Sequence, residues 1–212
     1  LLVGAHRDHI GRGGPSSRAP GSTAIHNGAD DNASGVAALL ELARRLQARP
    51  APRTVVFVWF GAEELGLLGS AHLAAHPVDA TRAVGTMLNM DMVGRLNACR
   101  LFVESEGLSP AARAGVTAAN TGYGFDARPW EPWRGSWGAS DHMSFSRARV
   151  PVVFLFTGLH DDYHSPSDDA PTLNYPGLAA VAGYAEATLR ALAALPDDAL
   201  RWQRPSARRN RR

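Results

Sequence analysis

Apolar positions along the chain switch repeatedly between a strand-like and a helix-like period. Residues 1–5 form a short continuous apolar run, read as a buried strand, with His6-Arg7-Asp8-His9 at its carboxyl end. A Gly/Pro/Ser-rich loop over 11–23 leads to Gly28-Ala29-Asp30-Asp31-Asn32-Ala33-Ser34-Gly35, which runs straight into Val36, Ala37, Leu39, Leu40, Leu42, Ala43 and Leu46. That spacing predicts an amphipathic helix over 32–49, closed by Pro50 and Pro52. Asn32 and Ser34 are good N-cap residues, so Asp30 and Asp31 are expected in a loop at a helix N-terminus, where the dipole and backbone N–H groups hold an anion. Residues 54–60 (TVVFVWF) are β-branched and aromatic throughout, which predicts a central strand buried on both faces, ending at Gly61-Ala62-Glu63-Glu64.

The alternation continues. A short helix is expected over 69–75, a strand over 83–90 finishing at Asp91, another strand over 99–104, and a helix from Ser109-Pro110 to about Asn120. Residues 123–138 are irregular and aromatic. Ser140 is expected to cap a short helix through Arg147, followed by a strong strand over 151–156 and a final helix over 176–195. Strands alternating with helices argue an α/β sandwich on a largely parallel sheet, with ligands beyond the carboxyl ends of the strands. His6, Glu63-Glu64, Asp91 and the loop holding His164 all follow strand-like runs and are expected to converge on one edge.

Composition narrows the function classes. The length of 212 residues suits one domain, expected over 1–196, and 45% hydrophobic with 20% charged content is ordinary for a soluble globular protein. All 22 basic residues are Arg, which reads as coding bias. The last twelve residues hold six Arg and no acid, so the rest of the chain carries −4 against the +2 of the whole. A basic, disordered tail is therefore expected over 197–212, and a slightly acidic body argues against nucleic-acid binding. Cys99 is the only cysteine, so neither an internal disulfide nor a thiolate zinc site is available. No apolar run approaches the ~20 residues of a membrane span, and no export signal is visible. The opening residues read as if already inside a strand, so a fragment whose first strands are missing is expected.

Two histidines and three carboxylates (His6, His164, Asp31, Glu64 or its neighbour, and Asp91) make an N/O donor set suited to zinc or a similar divalent ion. They suffice for two ions if one carboxylate bridges, and Asp31 is the natural bridge. The His6-x-Asp8 spacing on an extended chain puts both side chains on one side, so Asp8 is expected to fix the imidazole tautomer. Glu63 and Glu64 point in different directions, leaving one to bind metal and one to take a proton from water. Taken singly, each of these is more often a solvated loop residue or a helix cap; their order after successive strands favours the metal reading. His9 and His26 flank the site loops, His72 and His76 read as surface, and His160 with Asp161-Asp162 as loop solvation. Phe125, Trp130, Trp133 and Trp137 offer a wall for an apolar side-chain pocket.

His6-x-Asp8, Gly28-Ala29-Asp30-Asp31-Asn32-Ala33-Ser34-Gly35, Glu63-Glu64-x-Gly66-Leu67-x-Gly69-Ser70, Asn89-Met90-Asp91-Met92 and Tyr163-His164-Ser165-Pro166-x-Asp168 closely resemble the co-catalytic di-zinc aminopeptidase family. Bacterial leucyl aminopeptidases, glutamate carboxypeptidases, glutaminyl cyclases and the transferrin-receptor ectodomain belong to that superfamily. The resemblance implies a three-layer α/β/α sandwich with a mixed, largely parallel sheet. It implies two Zn2+ ions, with Co2+ or Mn2+ as substitutes: Asp31 bridging, His6 and Asp91 completing one site, Glu64 and His164 the other. Glu63 would be the general base, with Asp8 behind it in the catalytic set. Ser140-Asp141-His142 and Tyr163 would belong to the substrate pocket, and Trp137 stands nearest the place where many members carry an oxyanion-binding Tyr. The implied substrates are peptides with a free N-terminus. A carboxypeptidase would need a cation such as Arg134. A cyclase would lack the Asp-Asn-x-Ser-Gly continuation, and a receptor-like domain would have lost ligands. Members often carry an export signal, so a secreted or periplasmic, cell-envelope location is expected; the oligomeric state stays open.

Overall fold

Alternate residues of a strand face opposite sides of its sheet, and two hydrophobic clusters record which side each residue faces. The computed structural model describes residues 1–129 and 140–203. Strands β1 (Leu2–His6), β2 (Val56–Phe60), β3 (Met87–Met90), β4 (Arg100–Glu106), β5 (Asp126–Arg128) and β6 (Val152–Phe156) form one sheet in the order β2-β1-β3-β6-β4-β5. The first four in that order run parallel; β4 pairs antiparallel with β6 and carries β5 parallel to itself.

On one face Val3, Ala5, Leu88, Met90, Val153 and Leu155 pack with Leu39 and Leu42 of α1 (Gly35–Ala48), Ala112 and Val116 of α3 (Pro110–Ala119), and Val181, Leu189 and Leu192 of α5 (Tyr175–Ala193). The strand residues between them, Leu2, Met87 and Val152, face the other way, against Phe145 of α4 (His142–Arg147) and Leu73 of α2 (Leu68–Ala75). The result is a three-layer α/β/α sandwich with a mixed, largely parallel sheet, as the family resemblance implies. Helix α3 begins as expected, with the Ser109 hydroxyl accepting the Ala112 N–H at 3.1 Å and Pro110 in the first turn. Tyr184 of α5 is buried and donates its hydroxyl to the Val116 carbonyl of α3 at 3.2 Å.

Several expectations are corrected. Strand β2 lies at the sheet edge, and among the described residues it pairs with β1 alone. Phe57 and Trp59 lean on one core and Val58 and Phe60 on the other, which is what the apolar run reported; composition does not encode whether an edge is paired. Helix α1 starts at Gly35, because Asp31 and Asn32 leave helical dihedrals in an irregular turn over Ala29–Ser34. Strand β3 is shorter than 83–90, and β4 runs on to Glu106. The tail expected from residue 197 is ordered through 203: Asp197–Leu200 makes one turn, Leu200 is buried in the core, and the Gln203 N–H reaches the Gly107 carbonyl at 2.8 Å. Residues 204–212 lie outside the described residues. Among the described residues no helix is long and apolar enough to cross a membrane.

Leu42, fully buried between α1, the sheet and α5, is a test of this core. Leu42→Ala is expected to lower unfolding free energy by about 2–5 kcal/mol, read from urea denaturation; a loss under 1 kcal/mol would mean that the helical layer is not packed as described.

Candidate metal centre

Parallel strands end on the same side of a sheet, and that is how residues far apart in sequence meet here. His6 is the last residue of β1, paired with Phe60 at the end of β2; Glu63 and Glu64 follow β2, and Asp91 follows β3. The turn before α1 brings Asp31, and the loop after β6 brings His164.

Asp31 lies between two imidazoles. Its Oδ1 is 3.2 Å from His6 Nε2 and its Oδ2 is 3.2 Å from His164 Nε2. Each imidazole has a second carboxylate beside it: Asp91 Oδ1 at 3.3 Å from His6 Nε2, and Glu64 Oε2 at 3.2 Å from His164 Nε2. Charge-assisted N–H···O bonds are shorter, about 2.7–2.9 Å, whereas two donors about 2.0–2.1 Å from one tetrahedral zinc lie roughly 3.3 Å apart. The separations therefore fit a metal shell. Both imidazoles are also oriented as ligands: His6 Nδ1 donates to the Asp8 carbonyl and His164 Nδ1 to the Ser16 carbonyl, each at 3.0 Å, which leaves Nε2 to face the carboxylates.

The electrostatics agree. Burial works against protonating His6, but Asp91 and Asp31 overcome it and hold its pKa well above the ordinary value. For His164, burial is likewise outweighed by Asp31 and Glu64, and the pKa rises to about 10. Asp31 is held low despite burial by His164 and His6, and Glu64 low by His164 and His9. Such carboxylates call for positive charge, which the raised imidazoles can supply by taking up protons and which a divalent cation would supply with the imidazoles neutral. Glu63, in reach of His6 and Asp91, behaves oppositely: burial and then the Asp91 charge push it up to about 9.

The turn carrying Asp31 is strapped from several directions. The N–H groups of Asp30 and Asp31 donate to Asp168 Oδ2 at 2.9 and 3.1 Å, and Arg95 lies 3.3 Å from the other oxygen of Asp168 and 2.8 Å from Asp162. Asp30, fully buried, accepts the Gly94 N–H at 2.6 Å; its second oxygen faces His160 Nε2 at 3.2 Å without hydrogen-bond alignment, and burial raises its pKa with His160 opposing. Asn32 ties the turn to the end of β3, donating to the Met90 carbonyl and accepting the N–H groups of Met92 and Gly35. Sequence reasoning missed Asp30, Asn32, Arg95 and Asp168 as positioning groups. Asp30, Asn32 and Asp168 carried a signal as letters of their motifs, and Arg95 carried none. His160 and Asp162, read as loop solvation, belong to this network.

Asp8 is a correction. The His6 ring is oriented by the Asp8 backbone carbonyl, while the Asp8 carboxylate stays 3.9 Å from that nitrogen and instead accepts the N–H groups of Glu63 and Glu64, each at 3.2 Å. The strand ends at His6, so the two-residue spacing no longer aligns the side chains. His9, set aside at first, enters the Glu64 side of the site. His26 is buried against the Ser17 hydroxyl at 2.8 Å, and His72 stacks on His76, both exposed.

Of the residues expected in a substrate pocket, Ser140, Asp141 and His142 are all buried. The Ser140 hydroxyl accepts the Asn89 amide at 2.8 Å. Burial pushes Asp141 up to about 6, the nearby Ser70 hydroxyl opposing without a full hydrogen bond. His142 stacks on Phe154 with centroids 4.2 Å apart. Tyr163 stacks on His164 at 3.8 Å, under the Arg18 guanidinium at 5.0 Å. Trp137 and Arg134 lie outside the described residues, as do Trp130 and Trp133.

The model of peptidase family M28 matches residues 1–189. Aminopeptidase YwaD of Bacillus subtilis is 34% identical over 151 residues, covering 66% of this chain and 32% of its own length. Leucine aminopeptidase 1 of Grosmannia clavigera is 35% identical over 188 residues, covering 80% of this chain and 43% of its own. The structure of a zinc aminopeptidase from Bacillus subtilis superposes with a TM-score of 0.70 at 29% identity, over 89% of this chain and 44% of that one. The LapA aminopeptidase of Legionella pneumophila shares the fold, with a TM-score of 0.73 at 23% identity over 92% of this chain and 51% of that one. The chain thus spans less than half the length of the curated relatives it matches, 32% of YwaD and 43% of the Grosmannia enzyme.

Burial lowers the His142 pKa from 6.5 to about 3, and neither ring nitrogen has a hydrogen-bond partner among the described residues. Between those pH values the unfolded chain binds a proton that the native chain does not, so stability falls as pH falls, by about 1.4 kcal/mol per pH unit for this group. His142→Phe, which keeps the stacking and removes the titration, is expected to flatten that acid limb in urea unfolding from pH 7 to 4. An unchanged limb would show that His142 does not contribute to it.

Proposed function

The chain belongs to peptidase family M28, and we propose on that footing that it is a zinc-dependent aminopeptidase hydrolysing the first bond of peptides with a free N-terminus. One observation carries this reading: a single buried carboxylate, Asp31, offers one oxygen to each of two imidazoles, and each imidazole has a carboxylate of its own. In this reading His6, Asp31 and Asp91 hold one zinc, and Asp31, Glu64 and His164 hold the second. Zinc bound there supplies Lewis acidity, polarising the scissile carbonyl and lowering the pKa of water toward ~7.

Glu63 is the proposed base. Its carboxylate sits beside His6 and Asp91, and burial together with Asp91 gives it a strong affinity for a proton. It takes the proton of the attacking water and returns it to the leaving amine. Asp8, through the N–H groups of Glu63 and Glu64, fixes the two neighbours in divergent directions. The acidic surroundings favour a substrate whose α-amine is protonated, in keeping with the aminopeptidase names of the relatives.

The test is zinc titration of chelator-stripped protein alongside chromophore release from leucine anilide, with activity expected to return as two equivalents bind. Glu63→Gln is expected to keep both zincs and lose turnover by roughly 10² or more, whereas Asp31→Asn loses zinc. Undiminished turnover in Glu63→Gln removes the proposed base; two bound zincs with cleavage confined to C-terminal substrates makes the enzyme a carboxypeptidase.

A further inference from the structure

His9 approaches the site in a way its other histidines do not. Its Nδ1 lies 2.8 Å from Glu64 Oε1, the length of a charge-assisted hydrogen bond, and 3.8 Å from Asp31 Oδ2. Glu64 Oε2, the other oxygen, is the one that faces His164 Nε2 at 3.2 Å. The two carboxylate oxygens are thus divided between two imidazoles at two distances. The shorter is a hydrogen-bond distance, and the longer is the spacing of neighbouring donors around a tetrahedral metal. Because Glu64 is ionised and accepts only, the proton of that bond sits on His9 Nδ1.

The seat of the imidazole is built. The ring lies edge-on to His164, with centroids 5.6 Å apart at 74°. Gly28 lies against it at φ +62°, where a Cβ would come within 2.7 Å of His9 Cγ and 2.3 Å of the Asp31 carbonyl oxygen. The turn that carries Asp31 therefore depends on glycine to admit His9. His9 Nε2 is buried and has no hydrogen-bond partner among the described residues, and the ring is anchored through Nδ1.

We propose that His9 is a positioning residue for the second zinc: by holding Glu64 Oε1 it turns Glu64 into a one-oxygen ligand and aims Oε2 at the space shared with His164 Nε2 and Asp31 Oδ2. The proposal rests on the two-zinc reading above. Hydrogen-bond partners of metal ligands of this kind are worth about 10–100-fold in metal affinity. The His6 and Asp91 pair lies on the other oxygen of Asp31 and makes no use of His9.

The experiment is competitive zinc titration of the chelator-stripped full chain against a chromophoric chelator, resolving two dissociation constants, with melting of the zinc-free proteins as a control on folding. His9→Ala is expected to weaken one of the two sites by about 10–100-fold and leave the other within twofold, with zinc-free melting unchanged. His9→Asn, whose amide nitrogen takes the place of Nδ1, is expected to recover most of the loss. Unaltered constants in His9→Ala overturn the proposal, as does an equal loss at both sites with a lowered melting temperature. A selective loss that Asn fails to repair also overturns it, and makes His9 a direct ligand. Wild-type protein that takes up fewer than two zincs overturns the underlying reading instead, before any variant is compared.

Discussion

Carboxylates are costly to bury side by side unless positive charge or backbone N–H groups lie against them, and the architecture around Asp31 follows from that constraint. Asp168, fully buried, is answered by Arg95 and by two N–H groups; Asp30, also fully buried, by Gly94 N–H with His160 close by; Asp31 by two imidazoles. Among the described residues the Asp141 and Glu63 carboxylates have no such partners, and burial pushes them up to about 6 and about 9; it raises Asp30 too, with Gly94 and His160 opposing.

The fold supplies the convergence that this charge pattern needs. The adjacent parallel strands β2, β1 and β3 deliver Glu63-Glu64, His6 and Asp91 to one edge, and the irregular turn before α1 carries Asp31 across it. Close approach is required: a Cβ on Gly94 would meet the Asp30 carboxylate at 2.8 Å and Ser34 Cβ at 2.9 Å, so the loop after β3 can reach the turn only with glycine there. Asn32, bonded to both Met90 and Met92, closes the same junction from the other side. Metal donors, helix entry and strand end thus share one set of hydrogen bonds. A change to any of them moves the others.

The residues His6, Glu63-Glu64 and Asp91 were legible in the sequence because each follows an apolar run, and the order of elements was legible because the two periods differ, except for β5, which lies in residues read as irregular. What lay beyond reach was tertiary partnering. Nothing local distinguishes the edge strand β2 from a central one, since both present apolar side chains to two faces. Asp8 was assigned to His6 on strand geometry that stops at His6 itself, and its carboxylate went to N–H groups 55 and 56 residues away. Arg95 and Asp168 meet across 73 residues with no shared pattern, and His9 was read only as flanking the site loops, with no partner assigned to it. Motif letters located the residues that converge; they did not identify what holds those residues still.

The adjacent pair Glu63 and Glu64 brings these threads together. Both follow the same strand, both offer their N–H to the same Asp8 carboxylate, and yet their surroundings differ. Glu64 faces His164 and His9, which lower its pKa against burial; Glu63 faces Asp91, which adds to burial and raises it to about 9. Two acids one residue apart whose affinities for a proton are driven in opposite directions are suited to different tasks, one to hold a cation and one to carry a proton. That separation supports Glu64 as the ligand and Glu63 as the base. It also explains why His9 belongs on the Glu64 side. An N–H donor there deepens the difference between the two carboxylates, whereas the same donor beside Glu63 would weaken the base.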